Sequence, residues 1–174
     1  MLPELPIALL RAVGAENIPH HRQSLFDHLI GTYRLLNAAH APEHVCLAGL
    51  LHSCYGTVHF SLPLFDISDR ERLQTLIGHH AERLAYLFCA LDRRHLPTLA
   101  VTTFDRLTGE DIQITKADHL GLLQVEIANR LDQQMEGLKE QQKLHSLLSA
   151  VGRIAPDALA PMQAILATRL CNSS

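Results

Sequence analysis

Apolar residues recur at intervals of three and four along almost the whole chain, and this spacing constrains the fold more than any other feature. Residues 4–14 read as a short first helix. Over 24–39, Leu25, Leu29 and Leu36, with Ile30 and Tyr33, fall on one broad side, and Ser24 is a fitting N-cap. Pro42 opens a third helix, since proline suits a first turn, and that helix ends at His52 or Ser53. Ser68 or Asp69 caps a fourth that reaches Ile77. Gly78 kinks or ends it, and 79–94 form a fifth with Leu84, Leu87, Phe88 and Leu91 on its buried stripe. Thr115 and Asp118 carry a capping signature for a long helix over 116–134. Gly137 interrupts it, and two further helical stretches precede a polar tail. "CYGTVHFSLPLFDIS" reads as a loop broken by Gly56 and Pro63, and 97–114 also departs from this period: "TLAVTTF" and "DIQIT" are short β-branched runs around "RLTGED", which suits a small hairpin. The expected fold is all-α, a bundle of about seven helices with a small hairpin near 97–114.

With 174 residues, 47% of them hydrophobic, the chain is long enough for one core, and no repeat or linker divides it. One domain spanning 1–174 is therefore expected. A net charge of −3 offers no basic field to nucleic acid and no polybasic stretch to a membrane surface. Runs such as "CLAGLL" and "LAYLFCAL" are too short to span a bilayer. Aromatic residues are only 5% and tryptophan is absent, which argues against a base-stacking platform. "MLPELPIALLRAVGA" has Glu4 and no basic residue before its apolar part, so it makes a poor signal peptide. Cys46, Cys54, Cys89 and Cys171 show no CxxC spacing and read as reduced thiols of a cytoplasmic protein. A small molecule is the expected partner, and an exposed helical face in the last third suits a homodimer. No motif for an organic cofactor is evident.

Histidine is the anomaly, at 12 residues spread along the chain rather than gathered in one tract. Residues three, four and seven apart share a helix face. His28 shares its face with Leu25, Thr32 and Leu35. His52 lies with Val45, Ala48 and Gly49, small residues that let another helix come close. His80 lies on the stripe of Leu84, Leu87 and Leu91. Three histidines from three helices are thus expected to converge on one interior point, where imidazoles can hold zinc or iron or can simply pack with hydrogen bonds. His79 falls on another face, and His40, His44, His59, His95 and His145 read as solvated.

"SLFDHLIGTYRLL" followed by "HVCLAGLLHSCYG" resembles the opening of the HD-domain superfamily. There, a histidine in one helix precedes a His-Asp pair closing the next, in a phrase such as "AxLLHDIG". "VEIANRLDQ" resembles the later family phrase built around "AD.L", which supplies the last ligand. The resemblance covers roughly residues 20–135. With "LIGHHAERLAYLF" added, the chain is similar to HD-like proteins of unknown function. The resemblance implies an HD-like helical bundle and a metal site at His28, His52 and position 129. Two residues depart from it, because the family's paired Asp is Ser53 and its distal Asp is Asn129. Serine cannot bridge two hard cations and asparagine adds no charge, so a divalent ion (iron, zinc or manganese) is expected to bind weakly.

Around these ligands, Glu126 is a candidate replacement ligand or general base, or pairs with Arg130 one turn on. Asp118 reads as a helix cap. Tyr55 and Thr57 flank Gly56 just after His52, where their hydroxyls assist catalysis, bind substrate or merely complete a turn. Arg70 is a candidate for an anionic substrate group, or bridges to Glu71 or Glu82. His20 and His21 precede the second helix, within reach of the pocket mouth. The resemblance implies metal-dependent chemistry on a small molecule, either phosphoester hydrolysis or iron-dependent oxidation. The histidine excess and His80 favour the second, while Ser53 counts against a two-iron form. The alternatives are a non-catalytic binding module and a metal-independent enzyme using His28 and His52 as acid and base.

Overall fold

The computed structural model describes residues 2–58, 60–134 and 137–172, with side chains as far as Thr168. His59, read above as solvated, and the end of the polar tail lie outside the described residues. The chain is all-α with two small hairpins: α1 (Glu4–Ala12), α2 (Leu25–Ala38), α3 (Glu43–Leu50), α4 (Arg70–Ile77), α5 (His79–Ala90), α6 (Lys116–Asp132), α7 (Leu138–Ile154) and α8 (Pro156–Asn172).

Local chemistry sets these boundaries. The Ser24 hydroxyl accepts the Asp27 amide and starts α2. Thr115 and Asp118 exchange side-chain and backbone bonds in a full capping box at the head of α6. Pro42 is the N-cap of α3 rather than a residue of its first turn. Gly78, at φ +85°, separates α4 from α5 in a conformation that a side chain would resist. The expected hairpin is present as β3 (Thr102–Asp105) paired antiparallel with β4 (Glu110–Gln113).

Two features depart from the sequence reading. Helix α3 ends at Leu50, and 51–55 follow as turns, so His52 lies past the helix rather than closing it. A second hairpin, β1 (Pro19–His20) against β2 (Gln23–Ser24), precedes α2. It has two residues per strand, too few for a period-2 signal to register.

Helix α2 packs on α3 and α6, α3 also meets α5 and α6, and α7 lies between α6 and α8. Residues 121–129 of α6 are buried without a break, so no solvated face is left on this stretch. A helix buried all round is a central helix, and its polar side chains must therefore find partners inside the protein. The crossing of α2 and α6 is tight at Gly31, where a Cβ would overlap the Asp132 carboxylate. No helix among the described residues is long and apolar enough to cross a membrane.

Candidate functional site

Helices α2 and α6 and the turn after α3 bring His28, His52 and Asn129 together. His28 is fully buried, His52 is 1% exposed and Asn129 is 5% exposed. His28 Nε2 lies 3.2 Å from His52 Nε2 and 3.0 Å from Asn129 Oδ1. The other nitrogen of each ring is already committed. His52 Nδ1 is 2.7 Å from the Gly49 carbonyl oxygen, which can only accept, so Nδ1 carries the proton. This bond satisfies a carbonyl that the end of α3 leaves open. His28 Nδ1 is 2.7 Å from Asp132 Oδ2 and donates to it.

With one proton, at Nδ1, His28 sets a lone pair against that of His52 Nε2 across 3.2 Å, with an amide oxygen beside them; with two, its Nε2 donates to Asn129 Oδ1 and His52 Nε2. Lone pairs at that distance repel unless a shared proton or a cation lies between them. Burial pushes His52 well below the ordinary imidazole range, and the neighbouring His28 adds to the effect, so His52 is the neutral partner. Cation ligands with bonds of about 2.1 Å stand about 3 Å apart at neighbouring positions, close to the two distances from His28 Nε2. The donor set is weak, however, with two imidazoles and an uncharged amide. Among the described residues, no group of three or more His, Cys, Asp or Glu is placed to hold a metal ion.

The β1–β2 hairpin covers the cluster. His20 stacks on His28 with ring centres 4.4 Å apart and meets Phe60 edge-on at 5.4 Å. Burial, then His28 and His21, pushes His20 down to about 4. Gln133 bridges His20 Nε2 at 3.3 Å and Asn129 Oδ1 at 3.2 Å. Gln23, from the same hairpin, donates to Asp132 Oδ2 at 2.6 Å. Asp132, Gln133 and Gln23 were missed in the sequence, although Asp132 and Gln133 stand three and four residues after Asn129 and share its face. Gln23 carried no such signal.

Of the residues singled out in the sequence, His28, His52 and Asn129 are brought together with His20 stacked over them, and the rest are not. His80 is exposed in the first turn of α5, its ring 6.0 Å from that of His44. The apolar stripe it shares with Leu84 leaves the core before reaching that turn. Glu126 is held by Arg93 at 3.0 Å and Arg130 at 2.7 Å, in a separate buried network. Tyr55 donates to Glu82 Oε1 at 2.9 Å, and burial holds its phenol well above the ordinary range. Arg70 grips the same carboxylate through Nε and Nη2 and lies 3.8 Å over the Tyr86 ring. Tyr55 and Arg70 therefore brace α4 against α5 through Glu82. The Thr57 hydroxyl accepts the Phe60 amide at 3.1 Å and closes a turn. His21 is exposed at φ +50°, edge-on to His20, so its neighbour is the residue that reaches the cluster. Cys46, Cys54 and Cys89 are free and buried.

Residues 9–93 match a family model described as a domain of unknown function, DUF6817. This segment contains His20, His28 and His52 but stops short of α6, which supplies Asn129 and Asp132. No curated protein and no solved structure matches the chain.

Proposed function

We propose that the chain is an HD-like, metal-dependent enzyme that hydrolyses a small phosphoester at a single-ion centre. One observation carries this reading: His28 Nε2, His52 Nε2 and Asn129 Oδ1 converge, each imidazole having its other nitrogen held by an oriented acceptor. His28, His52 and Asn129 would hold the ion. Asp132 and the Gly49 carbonyl would fix the two rings and raise their basicity, as outer-shell partners of metal-binding histidines do. A divalent ion bound there supplies Lewis acidity for polarising a phosphoryl oxygen. Ser53 offers no bridging carboxylate, which favours one ion over two. The surface position of His80 removes the third imidazole that made iron oxidation attractive, so hydrolysis becomes the better reading. His20 and Phe60 exclude water from above, and substrate entry requires this cover to lift.

A second reading rests on the 2.7 Å contact between His28 and Asp132. With a shared proton in place of a cation, His28 is the acid and neutral His52 the base of a metal-independent site. Elemental analysis of untagged protein, purified without chelator, separates the two. About one equivalent of zinc, manganese or iron is expected, absent from His28→Ala and bound about 10–100-fold more weakly by Asp132→Ala. Protein that stays metal-free after reconstitution overturns the metal reading. Turnover that survives chelator then identifies the acid–base pair, and a folded, inactive protein indicates a binding module.

A further inference from the structure

A cavity of about 290 Å³ lies where α6, α7 and the 3-10 turn Arg93–Thr98 meet. Its walls alternate in charge. Arg93 pairs with Glu126 at 3.0 Å, Glu126 with Arg130 at 2.7 Å, and Arg130 with Glu140 at 2.6 Å. Arg94 is neutralised by Asp92. Lys139 and Lys143 also line the cavity, and among the described residues neither has an ion-pair partner. Lys143 uses part of its ammonium on the carbonyls of Arg94, at 2.9 Å, and Arg93, at 3.5 Å. The cavity therefore carries two uncompensated cations over a paired floor.

One atom of that floor is unexplained. Glu140 is 7% exposed, and its second oxygen, Oε1, is buried with no hydrogen-bond partner among the described residues. A carboxylate oxygen left dry and unpaired is destabilising and rare among buried polar groups, so a donor is expected there. The site asks for negative charge from its ligand at the lysines and for a hydrogen-bond donor at Glu140. A protonated phosphate or a hydroxyl-bearing phosphate ester meets both demands. Sulfate does not, being fully deprotonated at neutral pH, and would set its oxygens against the carboxylate. The cavity is at the lower end of the roughly 300–1,000 Å³ typical of ligand sites, too small for a dinucleotide.

We propose that this cavity is a binding site for a small phosphate compound, with Lys139 and Lys143 meeting the phosphate and the Glu140 carboxylate turning so that Oε1, shielded in the unliganded chain, accepts a ligand hydroxyl. The site stands apart from the histidine cluster, and its existence does not depend on whether that cluster holds a metal.

Calorimetric titration of the whole chain with inorganic phosphate, glycerol 3-phosphate and sulfate tests it. Phosphate and glycerol 3-phosphate should bind, with sulfate at least about tenfold weaker, the discrimination expected when an analogue lacks the needed donor. Glu140→Gln places an amide N–H at the orphan position while keeping an oxygen for Arg130, so sulfate should gain and the preference disappear. Lys139→Met, at an exposed position that threatens no packing, should weaken phosphate binding several-fold. Absence of binding by both phosphate compounds at millimolar concentration overturns the proposal. So does equal binding of sulfate by the wild type.

Discussion

His52 meets two demands with one ring. Nδ1 caps the Gly49 carbonyl at the end of α3, while Nε2 faces His28. His20 is the more testable neighbour, because its folded value of about 4 lies below the ordinary 6.5. The unfolded chain takes up that proton first as pH falls. The contribution of His20 to stability is thus complete above about pH 6.5 and is lost as pH drops from there toward 4. His20→Gln should therefore lose less stability than the wild type between pH 7 and 5, by about 1–2 kcal/mol. Urea midpoints in chelator measure the difference, and parallel curves would show that His20 titrates normally. At this scale, the sequence was legible where a helix is buried from its first turn onward, as α2 is around His28. It misled at His80, because periodicity names a stripe but not where that stripe leaves the core.

Among the elements, α6 does the most to assemble the protein. It meets α2, α3, α5, α7 and α8, and it carries Asn129 and Asp132 to the histidines while turning Glu126 and Arg130 toward Arg93 and Glu140. Its start is set by the reciprocal bonds of Thr115 and Asp118, with Arg83 of α5 also on the Asp118 carboxylate at 3.0 Å. Thr115→Ala should cost about 1 kcal/mol of unfolding free energy, as loss of an N-cap typically does. Chemical denaturation reads that loss directly, and metal content should not change. The capping pair was legible because it is local chemistry within four residues. The β1–β2 hairpin was not, since its two-residue strands owe their place to contacts of His20 with His28 and Gln23 with Asp132.

At the scale of the whole molecule, one set of buried charges forms a chain that ties three elements together. Glu126 is 2% exposed and links Arg93, beside the 3-10 turn, to Arg130, which passes the charge on to Glu140 of α7. Removing the central carboxylate leaves two guanidinium groups facing each other in a largely buried space. Glu126→Ala should therefore destabilise by about 3–5 kcal/mol. Arg11→Ala, which breaks the exposed pair with Glu16, should cost under about 1 kcal/mol. Thermal or urea unfolding of both variants checks the contrast. An unchanged metal content in Glu126→Ala would confirm that this residue acts on the fold and not on the histidine centre.

The sequence by itself determined the all-α class, the helix starts at Ser24 and Thr115, a hairpin near 97–114 and the inward position of His28. Each depends on contacts within a few residues or on the 3.6-residue period, which is written directly into the chain. Only the tertiary structure decided that Asp132 orients His28, that His20 covers it, and that Glu126 answers to two arginines. These outcomes turn on how closely and at what rotation helices cross, and Gly31 shows the reason. It leaves room for a carboxylate from α6 about a hundred residues away, and no local pattern specifies which side chain will fill that space.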